Sequence, residues 1–216
     1  MTETTARLAM IEAAEQIIAE RGMPALTLKD VQIAADQSNK SAAKYHFGSR
    51  EGLIEAVVEF RMSRVDTRRQ ELLAELERLD APLTIRQAVQ ALIRPLAAET
   101  IGRPGSRYAR FLVQAMFDPA LAYLVQKHLR AETYRHTHQL MIDLCPAPSE
   151  IAAWRTDNIV MFSMTILAAR EGVDSTPART AAIVSDLVDT CVAMLEAPTS
   201  DTTVSETTTE FPGATP

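Results

Sequence analysis

Between Asp36 and Glu51 the chain carries Lys40, Lys44 and Arg50 and no acidic residue, inside a protein of 216 residues and net charge −6. Ammonium and guanidinium groups gathered in so short a stretch suit phosphate oxygens, because each one that reaches a phosphate releases a condensed counterion. Asn39, Ser41, Tyr45 and His46 stand among them, with side chains able to donate to or accept from base edges and phosphates. That is the chemistry of nucleic-acid contact. Two lysines on an ordinary solvated helix face are the plainer alternative, and the lack of any neighbouring acid argues against it.

Other chemistries find no matching set of residues. The sequence has no serine elbow, phosphate-cradling glycine loop, dinucleotide-binding glycine pattern or zinc-protease helix, so an enzyme is not expected. His128, His136 and His138 raise the question of a metal, but His136 and His138 are two residues apart and diverge on a helix. No metal and no cofactor are expected. Cys145 and Cys191 are too few for a disulfide framework and too far apart for a paired metal motif, which leaves two reduced thiols.

The elements that must position these groups are helices. Glycine is scarce, aromatic residues make up 5 %, and Ala, Leu and Glu recur throughout, which favours helix over sheet. A first helix is expected from Thr5 to Arg21, with Leu8, Ile11, Ala14 and Ile18 on one face, stopped by Gly22 and Pro24. Thr27 and Asp30 form a capping-box pattern that starts a second, short helix at Leu28 and carries it to about Asp36. A third is expected over Asn39 to Phe47. Two short helices around a tight polar turn make a helix-turn-helix. Phe47, Leu53, Val31 and Ile33 are expected in the core.

Ser49 caps a long helix from Arg50 to about Leu79, and Thr84 with Gln87 repeats the capping pattern before the next. After the loop at Gly102-Arg103-Pro104-Gly105, helices are expected over Tyr108–Met116, Pro119–Leu144, Ser149–Arg170 and Thr176–Glu196. The end of the chain from Pro198 is rich in Thr and Pro, carries Asp201, Glu206 and Glu210 and has no basic residue, the composition of a disordered tail. No segment has the length and apolarity of a membrane span or the pattern of a signal peptide, so a cytoplasmic location is expected.

The run Tyr45-His46-Phe47-Gly48-Ser49-Arg50-Glu51-Gly52-Leu53 closely resembles the end of the recognition helix and the start of the following helix in TetR-family regulators. The resemblance extends back through Thr27-Leu28-Lys29-Asp30-Val31 and Ile33-Ala34-Ala35 and covers roughly Arg7 to Arg61. The chain departs from the common pattern at Asp36, where Gly is usual, in a Gln37–Lys44 segment that is one residue longer, and at Lys44, a usual tyrosine position. A recognition helix enters the major groove by its N-terminal part, here Asn39, Lys40 and Ser41, with Lys44 one turn on. The resemblance places Tyr45 and His46 on backbone phosphates. Thr27 and Lys29 at the start of the second helix, and Arg50 at the start of the fourth, offer further phosphate contacts.

An all-α protein of three parts follows: a helix-turn-helix DNA-binding domain over 1–48, a helical ligand-binding and dimerisation domain over 49–197, and a disordered tail over 198–216. The second domain and its effector, which alters the spacing of two DNA heads, are implied by the resemblance. Broad apolar faces on 149–170 and 176–196 suit a four-helix interface in a homodimer, or alternatively the closure of the monomer core. Tyr108, Phe111, Met116, Phe117, Tyr123, His138, Met141 and Met161 are candidates to line a pocket for a small apolar molecule, although each alone could be core. The function expected is a ligand-responsive regulator, a repressor released from a near-palindromic double-stranded DNA operator. The alternative is a helical small-molecule-binding protein without DNA readout.

Overall fold

Each capping residue read from the sequence starts a helix. Thr27, Ser49, Thr84 and Thr176 all accept the amide three residues on, and at Thr84 the Gln87 side chain returns the bond to complete a capping box. The computed structural model describes residues 3–39, 41–79, 81–128, 131–173, 175–200 and 203. Among them run ten α-helices: α1 (Glu3–Arg21), α2 (Leu28–Ala34), α3 (Ala42–Phe47), α4 (Arg50–Glu77), α5 (Ile85–Glu99), α6 (Tyr108–Phe117), α7 (Ala122–His128), α8 (Glu132–Leu144), α9 (Ser149–Arg170) and α10 (Pro177–Glu196). A single 3₁₀ turn, Met23–Ala25, joins α1 to α2.

α1, α2 and α3 form the head. The long α4 leaves it and packs on α5, α7 and α8, while α5 lies against α10, and α9 against α6, α8 and α10. One continuous apolar core runs through the molecule, from Ile11, Ile18 and Val31 in the head to Leu167, Cys191 and Leu195 at the far side. No helix among the described residues is long and apolar enough to cross a membrane.

Three expectations are corrected. The third helix begins at Ala42, because the Asn39 carboxamide oxygen accepts the Ser41 amide at 3.0 Å and so competes with a helical start at Asn39. The helix expected over 119–144 is two helices, since α7 packs on α4 and α6 whereas α8 packs on α5 and α9. Ile33 is 66 % exposed. It lies two residues from buried Val31, and two helical steps carry a side chain to the opposite face. Asp30 also differs in detail: its carboxylate accepts from the Thr27 hydroxyl at 2.5 Å.

Two arginines of α4, Arg61 and Arg69, are each only 2 % exposed. Arg69 has a local cause in α5. Pro95 inside that helix has no amide to give the Ala91 carbonyl, and Arg69 Nε donates to that carbonyl at 3.2 Å from across the core. Asp66, one turn earlier, accepts from Arg69 Nη1 and holds its charge. The stripe Met62, Val65, Arg69 and Leu73 is thus inward-facing throughout.

Candidate nucleic-acid interface and its linkage to the body

α3 is anchored from below. Ala42, Ala43 and Phe47 are buried, and the Arg7 guanidinium lies 5.7 Å over the Phe47 ring. The opposite side is open: Asn39, Ser41, Lys44 and Tyr45 are exposed, Tyr45 by 75 %. Ser41 is the N-cap residue, yet its hydroxyl makes no cap bond. His46 is partly buried, its ring edge-on to Tyr45 with centroids 5.2 Å apart. Thr27 and Lys29 are exposed at the start of α2. Lys40 lies outside the described residues.

The turn from α2 into this surface depends on Asp36, which has φ 50. That left-handed conformation costs an ordinary side chain about 1 kcal/mol or more and is tolerated best by Gly, Asn and Asp. Aspartate therefore stands where the conformation itself calls for glycine. At the other end Gly48, with φ 71, closes α3, and Gly52 brings α4 against it. A Cβ on Gly52 would lie 2.2 Å from the Phe47 carbonyl oxygen, so only glycine lets the first turn of α4 come this close.

Arg50 is used differently from the expected phosphate contact. Its Nη2 donates to the Met23 carbonyl at 2.7 Å and its Nε to the Leu26 carbonyl at 3.1 Å. The guanidinium binds the start of α4 to the 3₁₀ turn through these two carbonyls, the Met23 carbonyl also accepting the Leu26 amide.

The head is joined to the body through the N-terminus of α6. Four successive amides there are taken by side chains of three different elements: Arg107 N by Glu15 of α1 at 2.8 Å, Tyr108 N by Ser106 at 3.2 Å, and Ala109 N and Arg110 N by Glu171, just past α9, at 3.1 Å each. Two carboxylates thus face the positive end of α6. Glu15 also accepts from Arg61 Nε at 2.8 Å, both groups being almost fully buried. Burial pushes the Glu15 carboxyl above the usual carboxylate range, and the facing Arg61 pulls it back. Further along α6, Gln114 accepts the Met23 amide and donates to the Ile18 carbonyl.

An internal cavity of about 30 Å³ lies between α4, α5, α6, α7, α8 and α9. Its walls are apolar, with Met62, Leu92, Leu96, Leu112 and Met164, and Arg69, Tyr134 and Ser163 supply polar atoms. Burial pushes the Tyr134 hydroxyl up to about 12, so it is a neutral phenol there. None of the eight expected pocket residues lines this cavity. Tyr108, Phe111 and Met141 are in the core beside it, Met116 and Met161 are partly buried, and His138 is turned to Asp157 at 2.9 Å. Phe117 and Tyr123, 65 % and 57 % exposed, face outward. Position along a helix did not distinguish inward from outward at the short α6 and α7. The one legible sign of this cavity's lining is Arg69, an arginine at an inward place in an apolar stripe.

Residues 10–57, which span α1 to the first turns of α4, match the bacterial regulatory proteins of the tetR family. That segment resembles the DNA-binding domain of the family. Its fold is similar to that of a protein from Mesorhizobium loti described as a TetR-family transcriptional regulator, with a TM-score of 0.54 at 13 % identity over 89 % of this chain and 98 % of the other. A second, from a Rhodococcus species and described in the same way, has a TM-score of 0.51 at 21 % identity over 89 % of this chain and all of the other. At these identities the likeness concerns the fold. No curated protein matches the sequence. The match over 10–57 and the shared fold support a DNA-binding transcriptional regulator, and regulators of the tetR family bind DNA operators, usually as dimers with small-molecule effectors.

Proposed function

We propose that this regulator is a repressor that binds a near-palindromic operator as a homodimer and is released by a small, mainly apolar effector. The observation that carries the DNA part is the open face of α3, where Asn39, Ser41, Lys44 and Tyr45 stand exposed over a buried footing of Ala42, Ala43 and Phe47. Asn39, Lys40, Ser41 and Lys44 read bases, and Thr27, Lys29, Tyr45 and His46 hold phosphates. Arg50 acts by fixing α4 beneath them. The functional division is a DNA-binding part over 1–48, an effector and dimer part over 49–197, and a tail from 198 whose first residues are touched by Arg155, through the Pro198 carbonyl and the Thr199 hydroxyl. Most of the tail lies outside the described residues.

The dimer forms through α9 and α10, on whose outer side Trp154 is exposed. The effector enters the internal cavity, which at about 30 Å³ has room for little more than a water molecule, so binding has to open it. Met62 and Met164 are the flexible walls that allow this. Opening pushes on α6, whose first turn is held by Glu15 of the head and Glu171 of α9. Selection from a random pool of duplexes tests the reading. A near-palindromic consensus with half-sites about one helical turn or more apart supports it. Recovery of unrelated sequences overturns it in favour of a helical small-molecule-binding protein without DNA readout.

A further inference from the structure

Three polar side chains share the wall of the internal cavity, and each has something different left to offer. Ser163 has spent its proton: its hydroxyl donates to the Val160 carbonyl at 3.0 Å, which leaves only lone pairs. Arg69 gives Nε to the Ala91 carbonyl and Nη1 to Asp66, while its Nη2 makes no hydrogen bond to a described residue. Tyr134, in the first turn of α8, has its ring 5.8 Å from the Arg69 guanidinium carbon, and its hydroxyl makes no hydrogen bond to a described residue either. The hydrogens left over in this wall thus belong to two neighbouring donors, and a donor in an apolar interior is costly to leave without an acceptor.

Charge narrows the choice of acceptor. Among the described residues that line the cavity Arg69 is the one charged side chain, and Asp66 already accepts from it. Burial keeps Tyr134 a neutral phenol. A carboxylate entering here would give up its hydration for a guanidinium that is already paired. A hydrocarbon would leave both donors unmet. A carbonyl oxygen is uncharged and has two lone pairs, one for each donor. Leu92, Leu96 and Leu112, from α5 and α6, add no polar side-chain atom, so the rest of the molecule meets an apolar surface.

We propose that the effector is an uncharged apolar molecule with one carbonyl oxygen, a ketone, ester or lactone, whose oxygen accepts from Tyr134 and Arg69. Its apolar part lies between Met62, Leu112 and Met164. The inference rests on the reading of this cavity as the effector site and adds the chemistry by which the site selects.

Acetophenone, ethylbenzene and benzoate are close in size and differ in what the ring carries: a carbonyl, a methylene or a carboxylate. Each is titrated into the full chain labelled with ¹³C in its methionine methyl groups, and the Met62 and Met164 signals are followed by NMR, because both side chains line the cavity. Acetophenone is expected to shift both signals to saturation, ethylbenzene to bind about tenfold more weakly, and benzoate to shift neither. Tyr134→Phe, which removes only the hydroxyl, weakens acetophenone about tenfold and leaves ethylbenzene unchanged. Ethylbenzene bound as tightly as acetophenone overturns the carbonyl and leaves the cavity as the effector site. Benzoate bound tightest overturns it too, and loss of that binding in Arg130→Gln, between α7 and α8 and outside the described residues, would identify the charge responsible. No shift of either methionine signal with any of the three overturns the proposal together with the reading on which it rests.

Discussion

The head and the body place their key groups by different means. In the head the constraints are met within a few residues: Thr27 caps the amide of Asp30, Asn39 turns the chain into α3, Asp36 takes a left-handed conformation, and Gly52 meets Phe47. In the body the partners are far apart in sequence. Arg69 serves the Ala91 carbonyl, Glu171 the amides of Ala109 and Arg110, and Glu15 joins Arg61 to Arg107. The open face of α3 is therefore a local construction that any change to its turns disturbs, while the body depends on a network of distant polar contacts.

The sharpest way to break the local construction is Gly52→Ala. With a Cβ 2.2 Å from a backbone oxygen, the first turn of α4 must move off α3, and urea unfolding should show a loss of about 3 kcal/mol or more. On the network side, Glu15→Ala leaves Arg61 buried without its carboxylate and should cost about 3 kcal/mol in the same assay. The loss should be accompanied by weaker DNA binding, because the variant loosens α1 from α6.

Lys44→Ala is expected to be narrower. Binding to a set of single-base operator variants should lose about 2 kcal/mol of discrimination at one or two positions and leave the rest as before. A uniform loss across all variants would move Lys44 to a phosphate. Arg69 can be tested by a double-mutant cycle with Pro95. Arg69→Leu should cost about 1 kcal/mol less in a Pro95→Ala background, where the substituted residue supplies the amide that the Ala91 carbonyl lacks. Additive effects would detach the buried arginine from the proline. The smallest expected effect is a gain: Asp36→Gly should raise stability by about 1 kcal/mol, read as a higher midpoint of unfolding.

This division also explains what could be read in advance. The all-helical class, the head, the capping residues and the family motif rest on short-range patterns, and the structure shows helices where those caps announced them. Ile33 was misplaced because a seven-residue helix has too few turns to define its buried face. The end of α7 and start of α8 carried no proline or glycine to announce them, since tertiary packing separates the two helices. The cavity lining was hidden for the same reason: Leu92, Leu112, Tyr134 and Met164 come from four helices, and nothing in one helix tells which of its apolar positions meets the others. Arg50 shows the limit of motif reasoning, because its residue type suits a phosphate while the local backbone supplies it with two carbonyls.

The most direct test of sequence-specific DNA recognition by α3 is a salt titration of the full chain by fluorescence anisotropy, comparing the DNA flanking its own gene with a scrambled duplex of equal length. The structure predicts binding to the first about a thousandfold tighter than to the second at physiological salt, with a steep salt dependence on the scrambled duplex. Equal affinity for the two at every salt concentration would contradict it.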